Sequence, residues 1–336
     1  DLAGPYLRLL LQTWQRNPEL LADSRLRVVI VGADVMPVDL IDLWRQSPLH
    51  GQARLFNVYG PTETTVAATV FEITDGFDSR QPRIPIGPPL ANKKLYVLDS
   101  QRQPTPIGVP GELHIGGIGP ARGYFQRPDL TDEKFIDLAD LPLTPAEREA
   151  GVIERNGRRH TRLYRTGDLV RWLPDGHIDF LGRMDQQVKI RSYRVELGEI
   201  EAVLNQHPQV DEAAVLAQED ARGEKYLVAY VTPQLAESQI AELRDYLRGK
   251  LPDYMTPNAF VALAHLPKTL VGVLDRQALP VPDSIVFAAP YAPPTNAAEE
   301  RIAAVWSQVL KGQRLSIHDN FFDVGGHSLA ALEVHS

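Results

Sequence analysis

The hydrophobic pattern of this chain changes its period twice, and those changes restrict the folds open to it. Up to about Pro85, helical spacing alternates with short apolar runs. Leu7, Leu10, Leu11 and Trp14 recur at i, i+3, i+4 and i+7, which predicts an amphipathic helix. Arg27–Val31 reads as a buried strand ending at Gly32, residues 38–45 as a helix and Arg54–Tyr59 as a second strand. That order predicts α/β layering on a parallel sheet. Beyond Pro85, the runs 94–98, 111–115, 169–173 and 177–181 sit between Gly and Pro turns and predict a β-rich subdomain. After Gly182 strands are expected at 187–190, 213–217, 226–231 and 259–263, with helices at 198–205 and 240–251. This is a small α+β unit. Residues 279–294 hold five prolines and little periodicity, the composition of a linker. Ile302, Val305, Trp306 and Val309 then restore helical spacing.

Length and composition narrow the classes. At roughly 150 residues per domain, 336 residues suggest two domains and part of a third. The net charge of −8, with no run of Lys or Arg, disfavours a nucleic-acid binder. The absence of cysteine excludes disulfides, thiolate nucleophiles and Cys-ligated zinc, and no H-x-x-x-H pair suggests catalytic zinc. It fits a reducing compartment, and a cytoplasmic location is expected. No apolar run approaches ~18 residues, and no basic-then-apolar leader opens the chain, so neither membrane span nor signal peptide is expected.

Four segments carry chemistry. In Asn57-Val58-Tyr59-Gly60-Pro61-Thr62-Glu63-Thr64-Thr65, a strand runs into a Gly-Pro turn, the place where α/β sheets hold ligands. Three hydroxyls and one carboxylate there suit Mg²⁺ and phosphate oxygens; taken alone, the segment reads equally as a polar turn capping a helix. In Tyr164-Arg165-Thr166-Gly167-Asp168-Leu169, an acceptor-only Asp beside Gly suits a ribose diol, while the bland alternative is a hairpin turn with a solvated Asp. Arg183, Lys189 and Arg191 cluster at the expected boundary, as a solvated face or as a hinge holding an anionic substrate. Asp323-Val324-Gly325-Gly326-His327-Ser328-Leu329 places Ser328 at a helix start, as an N-cap or as the anchor of a phosphodiester. Gly116–Tyr124 does not match G-x-G-x-x-G, no Gly-Lys-Ser/Thr follows, and Pro120 lacks a donor; a turn between β elements is expected.

In this order the segments resemble the later two-thirds of an amino-acid adenylation domain of nonribosomal peptide synthetases, followed by the start of a peptidyl-carrier domain. The resemblance covers nearly the whole chain. It implies residues 1–184 as the later part of the large α/β domain with its β-rich subdomain, and 185–280 as a small mobile α+β domain. A linker at 281–296 and a truncated all-α carrier at 297–336 complete the implied division. The implied activity is ATP-dependent formation of an aminoacyl-AMP and transfer to a carrier thiol, with ATP, Mg²⁺ and phosphopantetheine as cofactors. Asn57 and Tyr59 would contact adenine; Thr62 and Glu63 would hold phosphate and metal. Asp168 would bind the ribose, Arg183 would assist at ribose and phosphate, and Asp185 would be the hinge. Residues 189–194 would form the face presented during thioester formation, and Ser328 would carry phosphopantetheine. Ile30, Gly32, Val58, Val66 and Ala67 would line the substrate pocket, and their apolar character favours an uncharged, hydrophobic amino acid. Implied partners are the amino acid, the carrier in cis, an MbtH-like protein and neighbouring synthetase domains.

Two departures stand out. The family's phosphate loop and its amine-gripping aspartate would lie ahead of Asp1, so the chain is expected to be a segment of a longer enzyme. The second is Val271-Gly272-Val273, where similar domains read Asn-Gly-Lys. Valine supplies neither charge nor donor, so a weakened adenylation step is expected, with thioester formation less affected. An inactive scaffold for carrier or helper docking is the alternative reading. An acyl-CoA ligase is a third, and the Ser328 segment argues against it.

Overall fold

Val29 and Val31 are buried while Val28 and Ile30 are 48% and 37% exposed, so the first strand is half-buried and not enclosed on both faces. In the computed structural model, which describes residues 2–185, 187–190, 193–219, 225–269, 274–281, 292–310, 315–317, 321 and 334, helix α1 (Gly4–Arg16) and strand β1 (Val28–Val31) are followed by α2 (Asp39–Arg45), β2 (Arg54–Tyr59) and β3 (Thr69–Ile73). Leu7 and Leu11 of α1 and Leu40, Ile41 and Trp44 of α2 form one core with Val29, Val31 and Leu55. The strand alternation turns Val28 and Ile30 to the opposite face. β1 and β2 pair in parallel as expected, but β3 returns antiparallel to β2. The Gly60-Pro61 turn leads straight back along the same sheet, so no crossover helix intervenes.

The β-rich region contains β4 (Lys93–Leu98), β5 (Gly111–Gly117), α3 (Pro128–Lys134), β6 (Phe135–Asp137), α4 (Pro145–Gly151), β7 (Ile153–Arg155), β8 (Arg158–His160), β9 (Arg162–Trp172) and β10 (Ile178–Arg183). Its main sheet is antiparallel, ordered β10-β9-β5-β4, with β6 also on β9. β9 starts seven residues before the expected 169, because Leu163 and Tyr164 are buried and extend the ladder. Tyr164–Leu169 therefore lies within a strand, and the hairpin-turn alternative is wrong.

The second unit begins with β11 (Gln187–Ile190) and β12 (Tyr193–Glu196), an antiparallel pair. α5 (Leu197–Leu204), β13 (Glu212–Glu219), β14 (Lys225–Thr232), α6 (Glu237–Arg248) and β15 (Ala259–Ala262) follow. β13 is antiparallel and β15 parallel to β14. Ile200 and Leu204 of α5 and Leu243 and Leu247 of α6 pack on Val215, Leu227, Ala229 and Val231. Val228 and Tyr230 pack on the other face with Leu266 and Leu279. Cover on both faces explains why 226–231 reads as an unbroken apolar run. Truncating Leu247 to Ala would cost about 2–5 kcal/mol. Arg276 reaches back to Glu201 at 2.8 Å and to the Val215 carbonyl at 2.9 Å.

α7 (Ala297–Val309) carries the expected periodic residues; Trp306 meets Phe321 edge-on at 4.9 Å. Contacts divide the chain into two compact units, residues 1–185 and 186–336. Ser328 with its flanking segment, Val271–Val273, Arg191 and residues 282–291 of the expected linker lie outside the described residues. Among the described residues, no helix is long and apolar enough to cross a membrane.

Candidate active site

The parallel strands β1 and β2 end side by side, with Val31 opposite Asn57. Gly32 and the Gly60-Pro61 turn thus leave the sheet at its carboxyl edge, where open α/β sheets bind ligands. Gly60 is required there, since a Cβ would lie 2.6 Å from both the Ala68 nitrogen and the Val66 oxygen. The chain then makes a short 3-10 turn at Thr62–Thr64 and passes through left-handed Thr65 (φ 67°) and Val66 (φ 64°). A β-branched residue rarely adopts that conformation.

The three hydroxyls do not converge. Thr64 is buried and donates to the Pro61 carbonyl at 3.1 Å, and Thr65 donates to the Gly119 carbonyl at 2.8 Å. Both hydroxyls brace the loop, and Thr62 is exposed, as Thr65 also is. Asn57 is buried, and its amide donates to the Pro85 carbonyl at 2.9 Å. The expected turn at Gly116–Tyr124 is also corrected: Gly116 and Gly117 belong to β5, and the following segment packs on the 62–65 loop. Ala121 N–H donates to the Glu63 carbonyl at 2.8 Å, and the Tyr124 hydroxyl donates to Glu63 Oε1 at 2.7 Å. Tyr164 lies 3.3 Å from the Tyr124 hydroxyl. Burial, with the Tyr164 and Glu63 hydrogen bonds, holds the Tyr124 phenol well above its ordinary range.

Tyr59, Asp168, Arg183 and Asp185 do come together. The Tyr59 hydroxyl donates to Asp168 Oδ2, and an Arg183 terminal nitrogen donates to Asp168 Oδ1 at 2.9 Å. Arg183 Nε donates to Asp185 Oδ1 at 2.7 Å, and its other terminal nitrogen reaches Asp185 Oδ2. Asp168 and Arg183 are direct partners across β9 and β10. Asp168 is only 5% exposed. Burial, and then the Asp168 carboxylate, raise the Tyr59 phenol well above its usual value, so it stays a donor. The Tyr59 ring also approaches Phe180, 6.2 Å between centroids.

Of the expected pocket residues, Ile30 and Val66 (62% exposed) are accessible, Val58 and Ala67 are partly buried, and Gly32 is buried. Sequence reasoning missed Tyr124, although it ends a segment that drew attention for its glycines. It also missed Glu112, which bonds to the Gly167 N–H at 3.2 Å, and no local pattern marks that contact.

Comparison with known proteins gives the family of the chain. The AMP-binding enzyme family matches residues 4–125, the AMP-binding enzyme C-terminal domain residues 199–272 and the phosphopantetheine attachment site residues 300–336. The chain is 46% identical over 286 residues to a linear gramicidin synthase protein of Brevibacillus parabrevis, covering 84% of this chain. It is 44% identical over 328 residues to tyrocidine synthase 3 of the same organism, covering 97%. The chain belongs to the adenylation-domain family of nonribosomal peptide synthetases. A solved structure of holo-PA1221, a synthetase protein containing adenylation and carrier domains, superposes with a TM-score of 0.69 at 28% identity, over 99% of this chain and 51% of that one. The chain spans 5% of the length of each of those two synthases. The carrier region of this adenylation segment lies in cis, and its matched families imply ATP and phosphopantetheine as cofactors. The three family matches do not favour the inactive-scaffold alternative.

Proposed function

We propose that the protein activates an uncharged, hydrophobic amino acid as its aminoacyl-AMP and passes it to a phosphopantetheine thiol on Ser328. The observation that carries this reading is the Asp168 carboxylate, fixed between Tyr59 and Arg183. Two acceptor oxygens held by charge-assisted bonds suit the adjacent hydroxyls of a ribose. Asp168 takes those hydroxyls, Arg183 lies beside the ribose and phosphate, and the Asn57 and Tyr59 strand end meets the adenine.

Mg²⁺ fits the donors present. Among the described residues no group of three or more His, Asp or Glu could form an all-protein cage. Magnesium is commonly held by one or two carboxylates together with substrate phosphates. Glu63, with exposed Thr62 beside it, supplies that kind of ligand; the bound ion would neutralise phosphate charge. Ile30, Gly32, Val58, Val66 and Ala67 present no ionisable group, which supports a hydrophobic substrate side chain.

The reading assigns residues 1–184 to the large domain, 185–280 to the small mobile one, 281–296 to the linker and 297–336 to the carrier, with Asp185 as hinge. Residues 189–194 form the thioester-stage face, and an MbtH-like protein and neighbouring synthetase domains are the external partners. Val273, in place of lysine, weakens the adenylation half-reaction. The test is ATP–pyrophosphate exchange by the intact polypeptide across the amino acids, with mass spectrometry for a phosphopantetheine adduct on Ser328. Exchange strongest with aliphatic or aromatic substrates is expected. No binding of adenosine phosphates or of an acyl-sulfamoyl mimic would defeat the reading.

A further inference from the structure

Asp168 sits at a break in the ladder of β9. Glu112 of β5 pairs with Leu169 and His114 with Arg165, so Thr166, Gly167 and Asp168 together oppose Leu113. Gly167 takes φ +73°, as such a bulge requires. A bulge takes its backbone groups out of the regular ladder, and buried N–H groups must then find other acceptors. Here side chains provide them. Glu112 Oε1 accepts the Gly167 N–H at 3.2 Å, while its Oε2 accepts from Arg165 at 3.1 Å. Thr166 Oγ1 accepts the Asp168 N–H at 3.0 Å and donates to the Leu113 carbonyl at 2.8 Å. The Glu112 side chain is 13% exposed, sheltered enough to make these bonds count.

We propose that Glu112, with Thr166, is a positioning residue that sets the Asp168 carboxylate for ribose recognition by fixing the bulge at Gly167. Both oxygens of Glu112 are engaged, one on the bulge and one on Arg165. Glutamine at 112 retains the volume but has a single acceptor oxygen, so one of the two donors loses its bond. Valine at 166 retains the shape and removes both hydroxyl bonds. Either change frees the bulge to shift, and Asp168 moves with it.

This inference rests on the reading that Asp168 holds the ribose hydroxyls. Calorimetry on the intact polypeptide would compare affinities for ATP and 3′-deoxy-ATP. A merely structural role for Glu112 lowers both affinities alike; a positioning role lowers their ratio. E112Q and T166V are each expected to reduce the ratio about tenfold, in keeping with the cost of small misplacements at a site. D168N is the reference and should abolish the preference. If D168N retains it, the ribose reading fails. If D168N loses it while folded E112Q or T166V retains the wild-type ratio, the positioning role of Glu112 and Thr166 is overturned. Circular dichroism identifies which variants fold, and either one decides.

Discussion

The hydroxyl of Tyr59 and the carboxylate of Asp168 meet across 109 residues of sequence and two different sheets, joining the end of β2 to the bulge of β9. Y59F tests that join. The ring and its contact with Phe180 remain, while one bond to a buried carboxylate is lost. A hydrogen bond to a charged group contributes about 1.5–3 kcal/mol, and denaturant unfolding of Y59F should show a loss of that order. ATP affinity should fall about three- to tenfold, because Arg183 still holds the other oxygen. Tyr59 stays protonated through the ordinary tyrosine range, so wild-type affinity should show no phenol titration near about pH 10.

D168N should be more severe. The Arg183 guanidinium keeps Asp185 but loses its buried charge partner, and the Tyr59 donor faces an amide in place of a carboxylate. Breaking a buried pair on one side costs about 3–5 kcal/mol. Together with the lost ribose contacts, kcat/KM for ATP in pyrophosphate exchange should drop at least ~100-fold. A drop under tenfold would count against the assigned role.

Y124F addresses the metal end. The Tyr124 phenol, 2.7 Å from Glu63 Oε1, fixes the carboxylate that is proposed to meet Mg²⁺. Partners behind a metal-binding side chain typically change affinity about 10–100-fold when removed. Titrating Mg²⁺ against nucleotide binding should show a rise of about tenfold in the concentration required, with affinity for metal-free AMP unchanged.

V273K bears on the proposed weakening. If the missing lysine limits the first half-reaction, restoring it should raise ATP–pyrophosphate exchange about 10²–10³-fold. Transfer from preformed aminoacyl-AMP to the carrier should change much less. No gain in exchange would end that idea.

Much of the site was legible because its chemistry is local. The Gly60-Pro61 turn after an apolar strand marked the carboxyl edge of the sheet as the candidate site, and Asp168 beside Gly167 marked an acceptor pair. What could not be read was set by register between distant strands. Glu112 meets Gly167 only because β5 and β9 pair with a break at Leu113, and Arg183 meets Asp168 only because Leu181 is the extra residue in β10. The hydroxyls of Thr64 and Thr65 looked like ligands because composition does not say which way a side chain turns. The exposure of Val28 and Ile30 was hidden for a related reason. A strand covered on both faces and one covered on a single face can have the same run of valines.

His114 offers a test of the β5 environment that does not depend on catalysis. It is 1% exposed, and burial lowers its pKa below the ordinary 6.5 despite the opposing pull of Glu112, with Arg165 and Arg102 adding to the lowering. The folded protein therefore keeps the ring neutral in a range where the unfolded chain takes up a proton. Its effect on stability is absent above about pH 6.5 and grows as the pH falls from there towards the folded-state pKa. One group of this kind gives a slope of at most about 1.4 kcal/mol per pH unit. H114Q removes the titration while retaining a polar side chain. Denaturant unfolding between about pH 5 and 7 should show wild-type stability falling with acid and a flatter profile for H114Q. Parallel profiles would mean that His114 takes up its proton without cost, and that the interior behind Glu112 is wetter than its exposure indicates.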